Sequence, residues 1–222
     1  MALTKFNYNS FDLTTAASKG LAFNSSANGF ETSSSSSMVL IKTLTASSDS
    51  TIDFKDGTSS VVLDSTYPIY LFKIINMHPS VNNHIFEFQG NASGGSGFNE
   101  TITSTTFRAY HNEDGSSTNL AYPTNDDSAQ STDYCHLANG VSNDNDASLS
   151  GTLYLFNPSS TTFAKHFLVN LNFYEAATVR MTVNHFTSGY FNTTSAIDEI
   201  SFRMGSGNID SGTFKLYGIK DS

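Results

Sequence analysis

The sequence predicts an all-β protein: a jelly-roll-like antiparallel β-sandwich with an extended N-terminal arm. Short runs of β-branched and aromatic residues recur along the chain, with apolar residues at every second position. Clusters of Gly, Ser, Asn and Asp separate these runs at regular spacing, and no long amphipathic helical pattern occurs. About ten short strands in this arrangement are typical of a sandwich or a barrel.

Residues 1–37 are predicted to form the arm, ahead of a β-sandwich domain of residues 38–222. The segment is rich in Ser, Asn, Thr and Ala, a composition typical of a disordered tail. Aromatic residues nevertheless recur within it, which also fits an arm that docks on its own domain or on a neighbouring subunit. Both interpretations stay open. The candidate interface residues of the arm are Phe6, Tyr8, Phe11, Phe23 and Phe30.

Two features stand out in the first half of the domain. Pro68–Asn76 is apolar at nearly every position, which predicts a central strand buried on both faces. Asp56-Gly57 lies between two β-type runs, Thr51–Phe54 and Ser60–Leu63, and predicts a hairpin. Further strands are predicted at Met38–Thr45, His84–Gln89 and Thr101–Tyr110.

The second half of the domain repeats this pattern. Along His166–Tyr174 the apolar residues at alternate positions, beginning with Phe167, share one face. A last strand around Phe214 and Leu216 returns the chain to the core. The remaining strands are predicted at Gly151–Asn157, Thr178–His185 and Ile200–Met204.

The longest stretch without a predicted strand runs from Asn112 to Leu149 and encloses one short apolar piece, Tyr134 to Leu137. Loops of this length are either functional or disordered. Exposed tyrosines can stack on sugar rings and are equally common as anchors of subunit interfaces. The candidate residues for a glycan on this loop are Tyr122, Asp126, Asp127 and Tyr134.

Composition excludes several functional classes. The chain has 222 residues, 38% of them hydrophobic, with 18 Phe and 10 Tyr, which is too aromatic for a disordered acidic protein. A net charge of −9 argues against a nucleic acid partner, since phosphate binding requires clustered Lys and Arg. No secretory signal or membrane-spanning run occurs, so we expect no membrane partner and folding in a cytoplasm.

The sequence shows no catalytic signature, so we expect no enzyme and no cofactor. The six histidines lack the spacings of zinc sites. The single Cys135 has flanks that match no cysteine hydrolase, which favours a small buried side chain. No two acidic residues are spaced on a predicted strand as the carboxylate pair of a retaining glycosidase requires.

The run Asn143-Asp144-Asn145-Asp146 leaves two interpretations open. Alternating Asp and Asn supply the oxygen ligands that Ca²⁺ prefers, although the spacing differs from the EF-hand loop. The same residues are typical of a solvated turn, because their side chains hydrogen-bond to their own backbone.

Three segments resemble a family of proteins encoded by marine bacteriophages of cyanobacteria and pelagic bacteria. They are Tyr70–Pro79, Gly151–Lys165 and Ser195–Lys220, and the most specific part is Ser206–Ile219. The resemblance covers roughly residues 38–220. It implies a β-sandwich and a structural role in the virion, and it supplies no catalytic residues.

We therefore expect a non-enzymatic virion structural protein. The favoured role is that of a decoration or cement protein bound to the outside of the phage head, in contact with the major capsid protein and with copies of itself. A homotrimer around a three-fold axis is the expected oligomer. The alternative is a tail-fibre or tail-associated module that binds a host-surface glycan through the Asn112–Leu149 loop. A polysaccharide hydrolase is the least favoured role.

Overall fold

Strands form all the regular structure in the described part of this computed structural model, which comprises residues 20–23, 26, 29–33, 37–175 and 179–220. The strands are β1 (Gly20–Phe23), β2 (Phe30–Ser33), β3 (Met38–Asp49), β4 (Thr51–Lys55), β5 (Ile69–Pro79), β6 (His84–Ala92), β7 (Ile102–Asn112), β8 (Thr118–Ala121), β9 (Cys135–Val141), β10 (Leu149–Phe156), β11 (Lys165–Glu175), β12 (Met181–Phe191), β13 (Ile197–Met204) and β14 (Ile209–Ile219).

The strands from β3 onwards form two antiparallel layers. The larger layer has the order β3-β14-β5-β10-β11-β12-β7-β8, and the smaller has the order β9-β6-β13-β4. Strand β11 joins them through one pairing with β9, Glu175 opposite Val141, so the two layers form one sheet that is nearly closed into a barrel. The prediction of an all-β, jelly-roll-like antiparallel sandwich is confirmed.

Phenylalanine fills the space between the layers. Phe202 of β13 packs its ring 5.6 Å from that of Phe72 on β5. Phe88 of β6 makes an edge-to-face contact with Phe167 of β11, with the ring centroids 4.9 Å apart. Such aromatic pairs add ~0.5–1.5 kcal/mol each to the gain from burial. These contacts span the sandwich, and nine of the 18 phenylalanines of the sequence are buried in its core.

Strand β5 is a central strand, as predicted, because it lies between β14 and β10. Its inner face is fully buried, with Tyr70, Phe72 and Ile74 in the core. On its outer face Leu71 is buried, but Lys73 is half-buried and Ile75 is 38% exposed, because this face lies on the solvent side of the larger layer. The prediction of burial on both faces therefore holds for only part of the strand.

The hairpin predicted around Asp56-Gly57 is wrong. A turn forms there, but Ser60–Leu63 is not a strand, and among the described strands β4 pairs only with the distant β13. The Asp56 carboxylate accepts a hydrogen bond from the backbone N–H of Leu63 at 2.8 Å, which closes the segment into a loop. Val61 and Leu63 are buried in the core, so their apolar character serves packing without strand pairing.

The Asn112–Leu149 stretch also differs from the prediction of one long loop. It contains β8 and the central strand β9, which lies between β11 and β6. The polar residues His136 and Asn139 interrupt the apolar pattern of β9, yet both bind a buried carboxylate described below. The actual loop between β8 and β9 comprises residues 122–134.

The chain divides into two units, residues 1–37 and residues 38–222. The described part of the first unit is an antiparallel hairpin in which β1 pairs with β2 from Gly20 opposite Ser33 to Phe23 opposite Phe30. The rings of Phe23 and Phe30 stack, with centroids 4.9 Å apart. Phe6, Tyr8 and Phe11 lie outside the described residues.

Candidate functional site

The loop of residues 122–134 contains all four residues that the sequence suggested for a glycan. Tyr122 begins it at the surface, with 51% of the residue exposed. Its hydroxyl donates a hydrogen bond to the carboxylate of Asp127 and accepts one from Thr105 on β7 at 3.4 Å. Tyr122 and Asp127 therefore form a polar, solvent-facing pair at the edge of the larger layer.

Asp126 points the other way and is only 2% exposed. Its Oδ1 accepts hydrogen bonds from Asn139 Nδ2 at 2.9 Å and from His136 Nδ1 at 3.4 Å. Its Oδ2 lies 3.6 Å from His185 Nε2 on β12. These contacts join the loop to β9 and β12, so Asp126 holds the loop in place and does not face a ligand.

The protonation of this cluster follows from its contacts. Burial opposes ionisation of Asp126, but the hydrogen bonds from His136, His185 and Asn139 outweigh it and lower the pKa of the carboxyl. The hydrogen bond to Asp126 raises the pKa of His136 in return, against the effect of burial. The pair is therefore an ionised carboxylate beside an imidazole that gains a proton more readily than usual.

Two threonines complete the surroundings of His185, which is 1% exposed. Thr106 Oγ1 lies 3.3 Å from Nε2 of the ring, and Thr187 Oγ1 lies 3.4 Å from Nδ1. A substrate cannot reach Asp126 or His185 without opening the loop. The arrangement is suited to fixing the loop against β9 and β12. The sequence did not predict that His136 and His185 share one carboxylate, because they are far apart along the chain.

Tyr134, at the other end of the loop, belongs to a second polar group. The Arg203 guanidinium lies 3.7 Å from the centroid of the Tyr134 ring, a cation–π contact. Arg203 Nε donates to Glu87 Oε1 at 2.6 Å. Glu87 Oε2 in turn lies 3.9 Å from His136 Nε2. One face of the tyrosine ring is therefore occupied by the protein itself.

Arg108 and Glu175 form an ion pair, 3.2 Å from Nη1 to Oε2, between β7 and β11. Burial raises the pKa of Glu175, although the Arg108 charge acts against this. Asp126 also acts to raise the pKa of Glu175, so the ion pair is electrostatically linked to the buried carboxylate. The ionisable side chains beneath the loop thus contact partners of opposite charge or hydrogen-bonding partners.

Two other candidates from the sequence, Cys135 and Asp144, are engaged within the protein itself. Cys135 is a free, fully buried cysteine, as predicted, and burial raises the pKa of its thiol to about 11. Asp144 of the Asn/Asp run forms an ion pair with Arg180 at 3.2 Å. Among the described residues, no group of three or more His, Cys, Asp or Glu side chains is placed to hold a metal ion.

A groove on the outer face of the larger layer is a second candidate site, of about 350 Å³. It is built by two neighbouring rows of outward side chains across β7, β12, β11 and β10. One row reads Phe107, Phe186, Asn170, Thr152, and the next reads Thr105, Ser188, Leu168, Tyr154. The large side chains of each row lie next to small polar side chains of the other row, and the difference in size leaves a depression in the surface.

Two aromatic rings that line this groove stack on each other. Phe107 and Phe186 are stacked at 4.9 Å with their planes 13° apart. A second cavity of about 370 Å³ adjoins it and shares Thr105, Leu168 and Ser188. His166 and Tyr190, whose ring centroids are 5.8 Å apart, line that cavity. The sequence did not reveal this groove, because its shape depends on the register of four strands and Phe186 lies beyond the strand predicted at Thr178–His185.

In the described part of the chain, no helix is long and apolar enough to cross a membrane. Comparison of the chain with protein-family models, with curated proteins and with solved structures gave no match.

Proposed function

We propose that this chain is a non-enzymatic structural protein of a phage virion, and that it decorates the outside of the head. The observation that carries the proposal is the N-terminal hairpin. Phe23 is 68% exposed on a hairpin of two four-residue strands that belongs to a unit separate from the sandwich.

A lone two-stranded hairpin is at best marginally stable in water. An exposed phenylalanine on such an element gains most by burial against another surface, since full burial of its side chain contributes ~1.5–3 kcal/mol. The hairpin is therefore suited to attachment, with the major capsid protein as its partner and other copies of this chain, in a homotrimer, as neighbours.

Two further observations support the proposal. The titratable groups beneath the loop of residues 122–134 are buried and engaged with one another, an arrangement that serves folding better than catalysis. The segments Tyr70–Pro79, Gly151–Lys165 and Ser195–Lys220 resemble marine phage virion proteins of β-sandwich type.

The proposal is tested by binding full-length protein to phage heads that lack it, measured by co-sedimentation. Phe23→Ser is expected to weaken binding by about tenfold or more, since each tenfold step corresponds to ~1.4 kcal/mol. Leu120→Ser is the matched control, because Leu120 is a comparably exposed apolar residue on β8 of the sandwich. Equal binding of wild type and Phe23→Ser would contradict attachment through the hairpin.

The alternative role, a tail-associated receptor-binding module, is favoured by one observation. Tyr122 and Asp127 present a hydroxyl and a carboxylate together at the surface of the loop. In that role a few copies would lie at the tail vertex, and Tyr122→Ala with Asp127→Ala would abolish adsorption to the host while leaving assembly intact.

A further inference from the structure

We propose that the groove on the outer face of the larger layer binds a neutral carbohydrate, with a sugar ring lying against Phe107, Phe186 and Tyr154. The inference concerns the sandwich alone, so it holds whether the protein occupies the head or the tail. It also differs from the glycan site expected on the 122–134 loop, since no residue of that loop lines the groove.

The chemistry of the lining selects the class of ligand. None of the described residues that line the groove carries a charge, which disfavours an anionic or cationic partner. Aromatic faces alternate with hydroxyl and amide groups, and a sugar ring has the same combination of apolar C–H faces and hydroxyl edges. No hydrogen bond within the described chain engages the side chains of Thr152, Asn170 or Ser188, which leaves them for a ligand.

The size of the groove distinguishes a small ligand from a protein partner. A volume of about 350 Å³ falls within the usual range of ligand sites, ~300–1,000 Å³. A stable protein interface takes ~20–30 residues from each side, which exceeds the ten residues that line this groove. A second copy of the chain is therefore the less fitting occupant.

The adjoining cavity extends the site along β11. Together the two cavities extend along β11 from Asn170 to His166, about 13 Å at ~3.3 Å per residue. Tyr190 and His166 supply a second aromatic surface at its far end. Two cavities that share Thr105, Leu168 and Ser188 form a continuous path, so the ligand is a short linear stretch of a polysaccharide with a ring in each cavity.

The test is calorimetry and NMR chemical-shift mapping of the full-length protein with three neutral probes, cellohexaose, laminarihexaose and maltohexaose, and with an alginate hexasaccharide as the charged comparison. We expect at least one neutral probe to bind and the charged one to bind more weakly. Chemical-shift changes in the wild type are expected at Phe107, Phe186 and Tyr154. This mapping needs no variant and therefore does not depend on how a substitution folds.

Phe107→Thr with Phe186→Thr keeps β-propensity and is expected to weaken binding by about tenfold, or ~1.4 kcal/mol. Leu40→Thr, an exposed position on β3 outside the groove, is the control and is expected to bind as wild type. Failure of all three neutral probes would overturn the proposal. Shifts confined to the 122–134 loop would also overturn it, as would a wild-type dimer that the double substitution dissociates. None of these results bears on head binding through Phe23.

Discussion

At the residue scale, Asp126 illustrates how one carboxylate can position a whole loop. Its two oxygens contact side chains from β9 and β12. His136 on β9 is 10 residues away from Asp126 along the chain, and His185 on β12 is much farther along. Because Asp126 is almost fully buried, its negative charge is stabilised by these side chains in place of water. The neighbouring Asp127 has the same side chain but is only half-buried, and its carboxylate accepts a hydrogen bond from the partly exposed Tyr122.

The substitution Asp126→Asn is expected to lower the free energy of unfolding by about 2–3 kcal/mol, because it removes the charge that two histidines contact. Asp127→Asn is the matched control, with an expected change within ~0.5 kcal/mol. Urea denaturation of both variants measures the difference. Equal stability of the two variants would contradict the role assigned to Asp126.

The same cluster predicts a dependence of stability on pH. The folded pKa of His136 is raised above its ordinary value of 6.5, so its contribution is complete below that value and is lost as pH rises through the folded pKa. The folded pKa of Asp126 is lowered from 3.8, so its contribution is present above that value and is lost on strong acidification.

The stability difference between wild type and Asp126→Asn is therefore expected to be larger near pH 5.5 than near pH 8.5. Urea titrations of both proteins at the two pH values measure it. A difference that stays constant, or grows towards the higher pH, would show that His136 and Asp126 are not coupled as described.

At the element scale, pairing of β10 with β11 depends on Gly151. A Cβ atom placed there would clash with the carbonyl oxygen of Asn170, which belongs to the backbone and cannot rotate away as a side chain could. Gly205 provides the contrast, because the nearest atom to its Cβ would be 3.6 Å away. The two glycines look alike in the sequence, and only the register of the strands tells them apart.

Gly151→Ala is expected to destabilise the fold by about 2–3 kcal/mol, the usual cost of overpacking. Gly205→Ala is expected to change stability by no more than ~0.5 kcal/mol. Thermal denaturation of the pair is the measurement. A harmless Gly151→Ala would mean that β10 and β11 do not approach each other as closely as the pairing requires.

The elements also show what could be predicted from the sequence. Strand β5 was evident because its residues are apolar at nearly every position, although only its inner face is fully buried. Strand β9 was missed because its polar residues, His136 and Asn139, bind Asp126 in the interior, a partner that no local pattern reveals. The false hairpin after β4 arose because Val61 and Leu63 are buried in a loop that the Asp56 side chain closes.

At the scale of the whole molecule, the core is one cluster that both layers share. Phe202 contacts the rings of Phe54, Phe72, Phe86, Phe88 and Phe214, which come from both layers. The fold class was predictable because alternation survives in most strands. The outer groove was not, because its shape depends on the register of four strands at once.

Phe202→Ala is expected to cost about 3–5 kcal/mol, the range for truncating a buried phenylalanine. That is a large part of the ~5–15 kcal/mol by which domains are usually stable. Phe163→Ala, at a highly exposed position, is the control with little expected effect. Similar unfolding midpoints for the two variants would contradict a single shared core.

The central claim, that the protein decorates the head of a phage, is tested most directly by cryo-electron microscopy of the intact virion. The account predicts copies of the sandwich over the outside of the icosahedral shell, clustered around three-fold positions, with residues 20–33 against the major capsid protein. A few copies confined to the tail vertex, with a bare shell, would contradict it.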